Sequence, residues 1–113
     1  MNIDKMVEIE ILYSQYSSLL TEKQREIISL YYEEDYSLGE ISQFLNISRQ
    51  SVYDSLKRSE KSLREYEEKL EMVSKSKKIE ELLNKVVNIV NTKMDVDSTN
   101  RINDIIEEIR ELL

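Results

Sequence analysis

No proline occurs in the 113 residues of this chain, and glycine occurs once, at Gly39. Those two residues are the strongest punctuators of regular structure, so a chain nearly without them has few places to break a helix. The remainder is rich in Leu, Ile, Glu, Lys and Ser, and an all-α fold follows. At this length the chain makes one domain, or one domain with a helical appendage. The seven tyrosines and the one phenylalanine, Phe44, all fall in the first 66 residues, so any core beyond that point is aliphatic.

Composition also excludes chemistries. There is no Cys and no His. Disulfides and thiolates are ruled out, a zinc site would have to be built from carboxylates alone, and the commonest general base is missing. No glycine-rich phosphate loop or nucleophile motif occurs either, so the chain reads as a non-enzyme with no cofactor and no metal. The acidic run Glu33, Glu34 and Asp35 reads as a solvated helix end. The opening "MNIDKMVEIE" is charged, unlike a secretory leader, and no apolar run approaches a membrane span, so a cytoplasmic location and no membrane partner are expected. Net charge is −7. It is spread evenly: residues 1–58 hold 6 basic against 10 acidic side chains, and residues 59–113 hold 10 against 13.

Apolar periodicity marks the helices. Met6, Ile9, Tyr13, Tyr16 and Leu20 recur every three or four residues, predicting a first helix from about Asp4 to Leu20. Thr21 with Gln24, and Ser37 with Glu40, are capping boxes that open a second and a third helix. Ile27, Leu30 and Tyr31 form the buried stripe of the second, which "EEDY" ends. Ile41, Phe44 and Leu45 face inward on the third. Ser48 caps a fourth helix whose buried pair is Val52 and Leu56. Leu63, Tyr66, Leu70 and Val73 continue its stripe as a long connecting helix, and the first break expected is "SKSKK", residues 74–78. A further helix carries Ile79, Leu82, Leu83, Val86, Val87, Val90 and Met94. A last one, capped at Asp97 or Ser98, carries Ile102, Ile105, Ile106, Ile109, Leu112 and Leu113. These boundaries divide the chain into 1–73, a helix-turn-helix domain with the start of the long helix, and 74–113, a C-terminal helical segment.

Ser42, Asn46 and Val52 have the character a helix-turn-helix needs at offsets of four and six. They supply a small residue, a residue tolerant of positive φ at the turn, and a branched residue that locks the second helix. The stretch "LTEKQREIISLYYEEDYSLGEISQFLNISRQSVYDSLKRSEKSL" resembles region 4 of bacterial sigma factors. Over roughly residues 5 to 110, carried by "LLTEKQREIISLYYEEDYSLGEIS" and "NISRQSVYDSLKRSEKSLREYEEKL", the chain resembles the YlxM family of small helix-turn-helix proteins from Gram-positive bacteria. That resemblance implies a sigma region 4-like bundle and a DNA-binding regulatory role, with a genomic association to the signal recognition particle pathway of protein export. It departs from the sigma pattern where that group often carries Lys and Arg: here stand Tyr53 and Ser55, with Asp54 between them. Two cations lost and one anion gained weaken non-specific DNA binding by roughly 10-fold or more.

On the nucleic-acid reading, Arg49 and Gln50 reach base edges. Ser48, Ser51, Lys57 and Arg58 meet phosphates, and Tyr53 lies on the same face. The alternative is a protein or ribonucleoprotein adaptor of the signal recognition particle pathway on the same scaffold, with these residues a solvated face and Asp54 paired to Lys57 or Arg58. The apolar stripe from Leu56 to Val73 needs a partner, and the branched aliphatic surface of residues 79–113 is large enough both to cover it and to meet another chain. That surface, with the prevalence of two-fold dimers, predicts a homodimer held by the C-terminal helices.

Overall fold

The computed structural model describes residues 3–93 and 95–113. Met94, expected on the apolar side of the fifth helix, lies outside the described residues, as do Met1 and Asn2 of the charged opening. Helices α1 (Ile3–Tyr16), α2 (Glu22–Ile28), α3 (Leu38–Leu45), α4 (Arg49–Leu70), α5 (Met72–Lys93) and α6 (Val96–Leu112) follow one another, and no strand occurs among the described residues. They form two compact units, Met1–Glu71 and Met72–Leu113.

In the first unit α1, α2 and α3 all pack on α4. Ile9, Leu12 and Tyr16 of α1, Ile27 and Ile28 of α2, Ile41 of α3, and Val52, Leu56 and Leu63 of α4 are buried. Each such side chain contributes about 1.5–3 kcal/mol of apolar burial. Both capping boxes form as expected. Thr21 Oγ1 accepts from the Gln24 amide while Gln24 Oε1 accepts from that of Thr21, and Ser37 and Glu40 repeat the exchange.

Several boundaries differ from the sequence expectation. Helix α1 ends at Tyr16 and passes into a 3₁₀ turn at Ser17–Leu19. After α2 the chain widens into a π-helical segment, Ser29–Glu33. The extra residue per turn rotates the buried side, so Tyr32 is buried and Leu30 and Tyr31 are only partly covered. Asp35, at φ 59, then ends the segment. Phe44 does not face inward: it is 63 % exposed and packs edge-on with Tyr36, ring centroids 6.0 Å apart. Helix α4 stops before "SKSKK". Glu71 adopts the left-handed conformation, φ 54, with its N–H bonded to the Glu67 carbonyl, and residues 74–78 lie inside α5. Lysine and serine carry no signal strong enough to break a helix, whereas one left-handed residue ends it outright. The cap of α6 is Asp95, not Asp97 or Ser98; its carboxylate accepts from the Ser98 amide at 2.9 Å. That bond holds the Asp95 carboxyl below the ordinary carboxylate range.

In the second unit α5 and α6 form a hairpin. Val90 and Ile106 are buried in its seam, with Leu83, Val87 and Ile102 partly covered. Polar contacts line the rest: Thr99 Oγ1 to the Val90 carbonyl at 3.2 Å, Asn103 to Asn91 at 3.3 Å, and Arg110 to Glu80 at 2.8 Å.

Two adjacent polar side chains are buried on α4, in opposite circumstances. Ser59 Oγ has no hydrogen-bond partner among the described residues. The Glu60 carboxylate takes a bond from Tyr32 at 2.8 Å and an ion pair from Lys5 at 3.0 Å. An unsatisfied buried hydroxyl costs stability, and a satisfied buried carboxylate leaves its partners stranded when removed. Ser59→Ala is therefore expected to stabilise the chain by up to about 1 kcal/mol, and Glu60→Gln to destabilise it by about 1–3 kcal/mol. Thermal melts followed by circular dichroism check both signs.

Candidate nucleic-acid interface

The site begins at the turn between α3 and α4. Asn46 sits at φ 56, ψ 46, a left-handed position that Asn adopts more readily than other side-chain-bearing residues. The turn is bound from both sides by Ser42. Its carbonyl accepts from the Asn46 and Ile47 amides, and its hydroxyl donates to the Ile47 carbonyl at 2.6 Å. A small residue is thus required there for its hydroxyl as well as its size. Val52 is fully buried beneath the turn with Ile41.

Helix α4 then emerges with Ser48 as its cap, Oγ accepting from the Ser51 amide at 3.0 Å and donating to Ser51 Oγ at 2.7 Å. Arg49, Gln50, Ser51, Tyr53, Asp54, Lys57 and Arg58 are all exposed in the first three turns of α4, with the exposed Ser48 just before them as its cap. Their partners differ from the expectation. Asp54 pairs with neither Lys57 nor Arg58; it accepts from Gln50 Nε2 at 2.9 Å. Lys57 Nζ lies 5.5 Å from the Tyr53 ring centroid and 3.8 Å from Glu60 Oε1. Further along α4, Lys61 pairs with Glu65, and Arg64 with Glu8. Among the described residues no ion pair engages Arg49 or Arg58.

Packing of α2 on α4 adds a cation that sequence reasoning missed. Lys23 follows the Thr21 cap and lines an open groove of about 440 Å³ together with Gln24, Ser51, Ser55, Arg58 and the carboxylate of Asp54. Nothing in its local spacing marks Lys23; only the tertiary fold places α2 beside the start of α4. Glu60 was likewise missed, because a lone glutamate in a charged helix carries no sign of burial.

Glu60 sets the charge behind the face. Lys5 and Lys57 converge on the same carboxylate oxygen. The Lys5 amine beside it holds Lys57 below the ordinary lysine range, against the pull of the Glu60 charge, while Lys5 is pushed up by its contacts with Lys57 and Glu60. Burial and the bond to Glu60 push the Tyr32 phenol well above its ordinary range, so it stays a donor. Among the described residues no cluster of acidic side chains is arranged to hold a metal ion, and no helix is long and apolar enough to cross a membrane.

Six α-helices among the described residues, with an α3–turn–α4 element, make this an all-α helix-turn-helix protein. Residues 3–105 match a family model described as "Putative helix-turn-helix protein, YlxM / p13 like" (UPF0122), and the chain belongs to that family. It is 44 % identical to a UPF0122 protein of Geobacillus sp. (strain WCH70) over 97 % of this chain and 98 % of that one. It is 37 % identical to the UPF0122 protein YlxM of Bacillus subtilis (strain 168) over 96 % and 99 %. A UPF0122 protein of Caldanaerobacter subterraneus subsp. tengcongensis is 55 % identical over 76 % of this chain and 71 % of its own. None of these names carries an enzymatic activity.

Proposed function

We propose that this chain is a DNA-binding regulatory protein of modest affinity, acting in the cytoplasm as a homodimer and built on a sigma region 4-like scaffold, with the start of α4 entering the major groove. The observation that carries the reading is two exposed guanidiniums on the helix that follows the Asn46 turn, Arg49 in its first turn and Arg58 nine residues on, neither held in an ion pair among the described residues. Arg49 stands in the first turn, where a guanidinium can meet a guanine edge bidentately. Arg58 and Lys23 flank the groove between α2 and α4 and suit two phosphates. Ser48 and Ser51, bonded to one another, offer hydroxyls at the same end. Gln50 is steadied by Asp54, so base reading falls to Arg49 first, with Gln50 second.

The same charges explain why the affinity is modest. Net charge is −7, but salt screens that field over about 8 Å at physiological strength, leaving the local face to decide. Of the basic side chains on α4, Lys57, Lys61 and Arg64 face carboxylates. This depletion is what favours the rival reading, an adaptor of the signal recognition particle pathway that uses the scaffold for a protein or ribonucleoprotein partner.

Titration of labelled duplexes at several salt concentrations is the test. With Lys23, Arg49 and Arg58 available, the expected salt slope is shallow, about two to three per copy. Arg58→Ala and Lys23→Ala should each reduce that slope by about one, and Arg49→Ala should weaken a specific site by about 1–3 kcal/mol. Asp54→Ala should strengthen non-specific binding. No binding to any duplex at low salt, with retention of a signal recognition particle component, would decide for the adaptor.

A further inference from the structure

The α5–α6 hairpin carries a second apolar side that its own seam leaves exposed. On α5 it consists of Ile79, Leu82, Val86 and Ile89, between 37 % and 58 % exposed, and on α6 of Ile105, Ile109 and Leu112, between 40 % and 86 % exposed. A helical pair with only Val90 and Ile106 buried inside it is too small a core to stand alone, and an apolar side of this extent marks an interface.

The charges bordering that side identify what covers it. Helical spacing places Lys78 and Lys85 along the outer border of the α5 stripe, with Glu81 beside them, while Lys75 and Lys93 continue the line of the stripe beyond Ile79 and Ile89. Asp104, Glu108 and Glu111, with a single Arg101, run along the outer border of the α6 stripe. Among the described residues none of these nine is engaged in an ion pair within the chain. One border is predominantly basic and the other predominantly acidic, so the surface is complementary to itself.

We propose that the apolar side of α5–α6 is covered by the same side of a second copy of this chain. The two-fold axis runs parallel to the helices, so that α5 of each copy lies over α6 of the other. The charge pattern selects this axis. An axis across the helices would stack α5 on α5 and set lysine against lysine at one border and carboxylate against carboxylate at the other. The parallel axis sets the lysine border of each copy against the acidic border of its partner and closes an antiparallel four-helix bundle around the aliphatic residues. The apolar residues drive association, and the border charges fix the arrangement. The proposal deepens the homodimer part of the reading above. It stands independently of the DNA part, because a dimer that binds no duplex and a monomer that binds one are both recognisable.

Sedimentation equilibrium of the full chain at tens of micromolar tests it. The expected mass is twice the 13.5 kDa of one copy. Leu82→Asp with Ile109→Asp should bring it to that of one copy. The near-ultraviolet tyrosine signal should be unchanged, since every tyrosine lies at or before Tyr66. Lys78→Glu with Lys85→Glu should weaken the dimer roughly tenfold or more, and so should Asp104→Lys with Glu108→Lys. All four together exchange the two borders and should restore the wild-type dissociation constant. A wild-type chain of single mass overturns the proposal, and so does a fourfold variant no tighter than either pair alone, which would mean that α5 does not lie over α6.

Discussion

The buried carboxylate of Glu60 is the interaction on which the placement of the candidate site depends. It receives the Tyr32 hydroxyl from the π-helical segment and the Lys5 ammonium from α1, while itself belonging to α4. Three parts of the fold are therefore referred to one anion. A buried carboxylate demands partners with defined geometry, where an apolar contact tolerates sliding. The requirement constrains the rotation of α4 about its own axis, and with it the separate directions in which Arg49 and Arg58 project, nine residues apart on the helix. The widened turn at Ser29–Glu33 belongs to the same device, because the register it imposes is the one that buries Tyr32.

The device also divides the cations of α4 into two sets. Lys57 is drawn back toward Glu60 beside Lys5, and Lys61 and Arg64 turn to Glu65 and Glu8. What remains outside ion pairs among the described residues is Arg49 in the first turn and Arg58 farther along, the latter sharing the α2–α4 groove with Lys23 and Asp54. An acidic chain can present such cations because screening makes the local arrangement count for more than the total. In the second unit, charge is distributed on a different principle, with one sign predominating along each border of an exposed apolar surface.

Much of this was legible in the residues. The two capping boxes and the Ser48 cap are local hydrogen-bond patterns with strict spacing, and they form where Thr21, Ser37 and Ser48 stand. The turn at Asn46 was legible for the same reason. Features that depend on non-local packing were not. Nothing near Glu60 or Lys23 announces which helix will lie against it. Phe44 is apolar at an inward spacing, yet α3 is short, and in its last turn Leu45 is partly covered while Phe44 is left largely exposed against the Tyr36 ring. The end of α4 was misplaced because a lysine–serine run resembles a boundary in composition, while the actual stop is a single left-handed glutamate, Glu71. The cap of α6 moved to Asp95 because three candidate oxygens lie within four residues, and only the backbone conformation separates them.

The central claim is that the exposed start of α4, with Lys23 beside it, is the surface this protein offers to nucleic acid. Chemical-shift mapping on the isotope-labelled full chain, as a short duplex is added at low salt, tests it most directly. The account predicts that perturbations concentrate in residues 48–58 and 21–24, with α5 and α6 unaffected. Perturbations centred on α5 and α6, or none anywhere at saturating duplex, would contradict it.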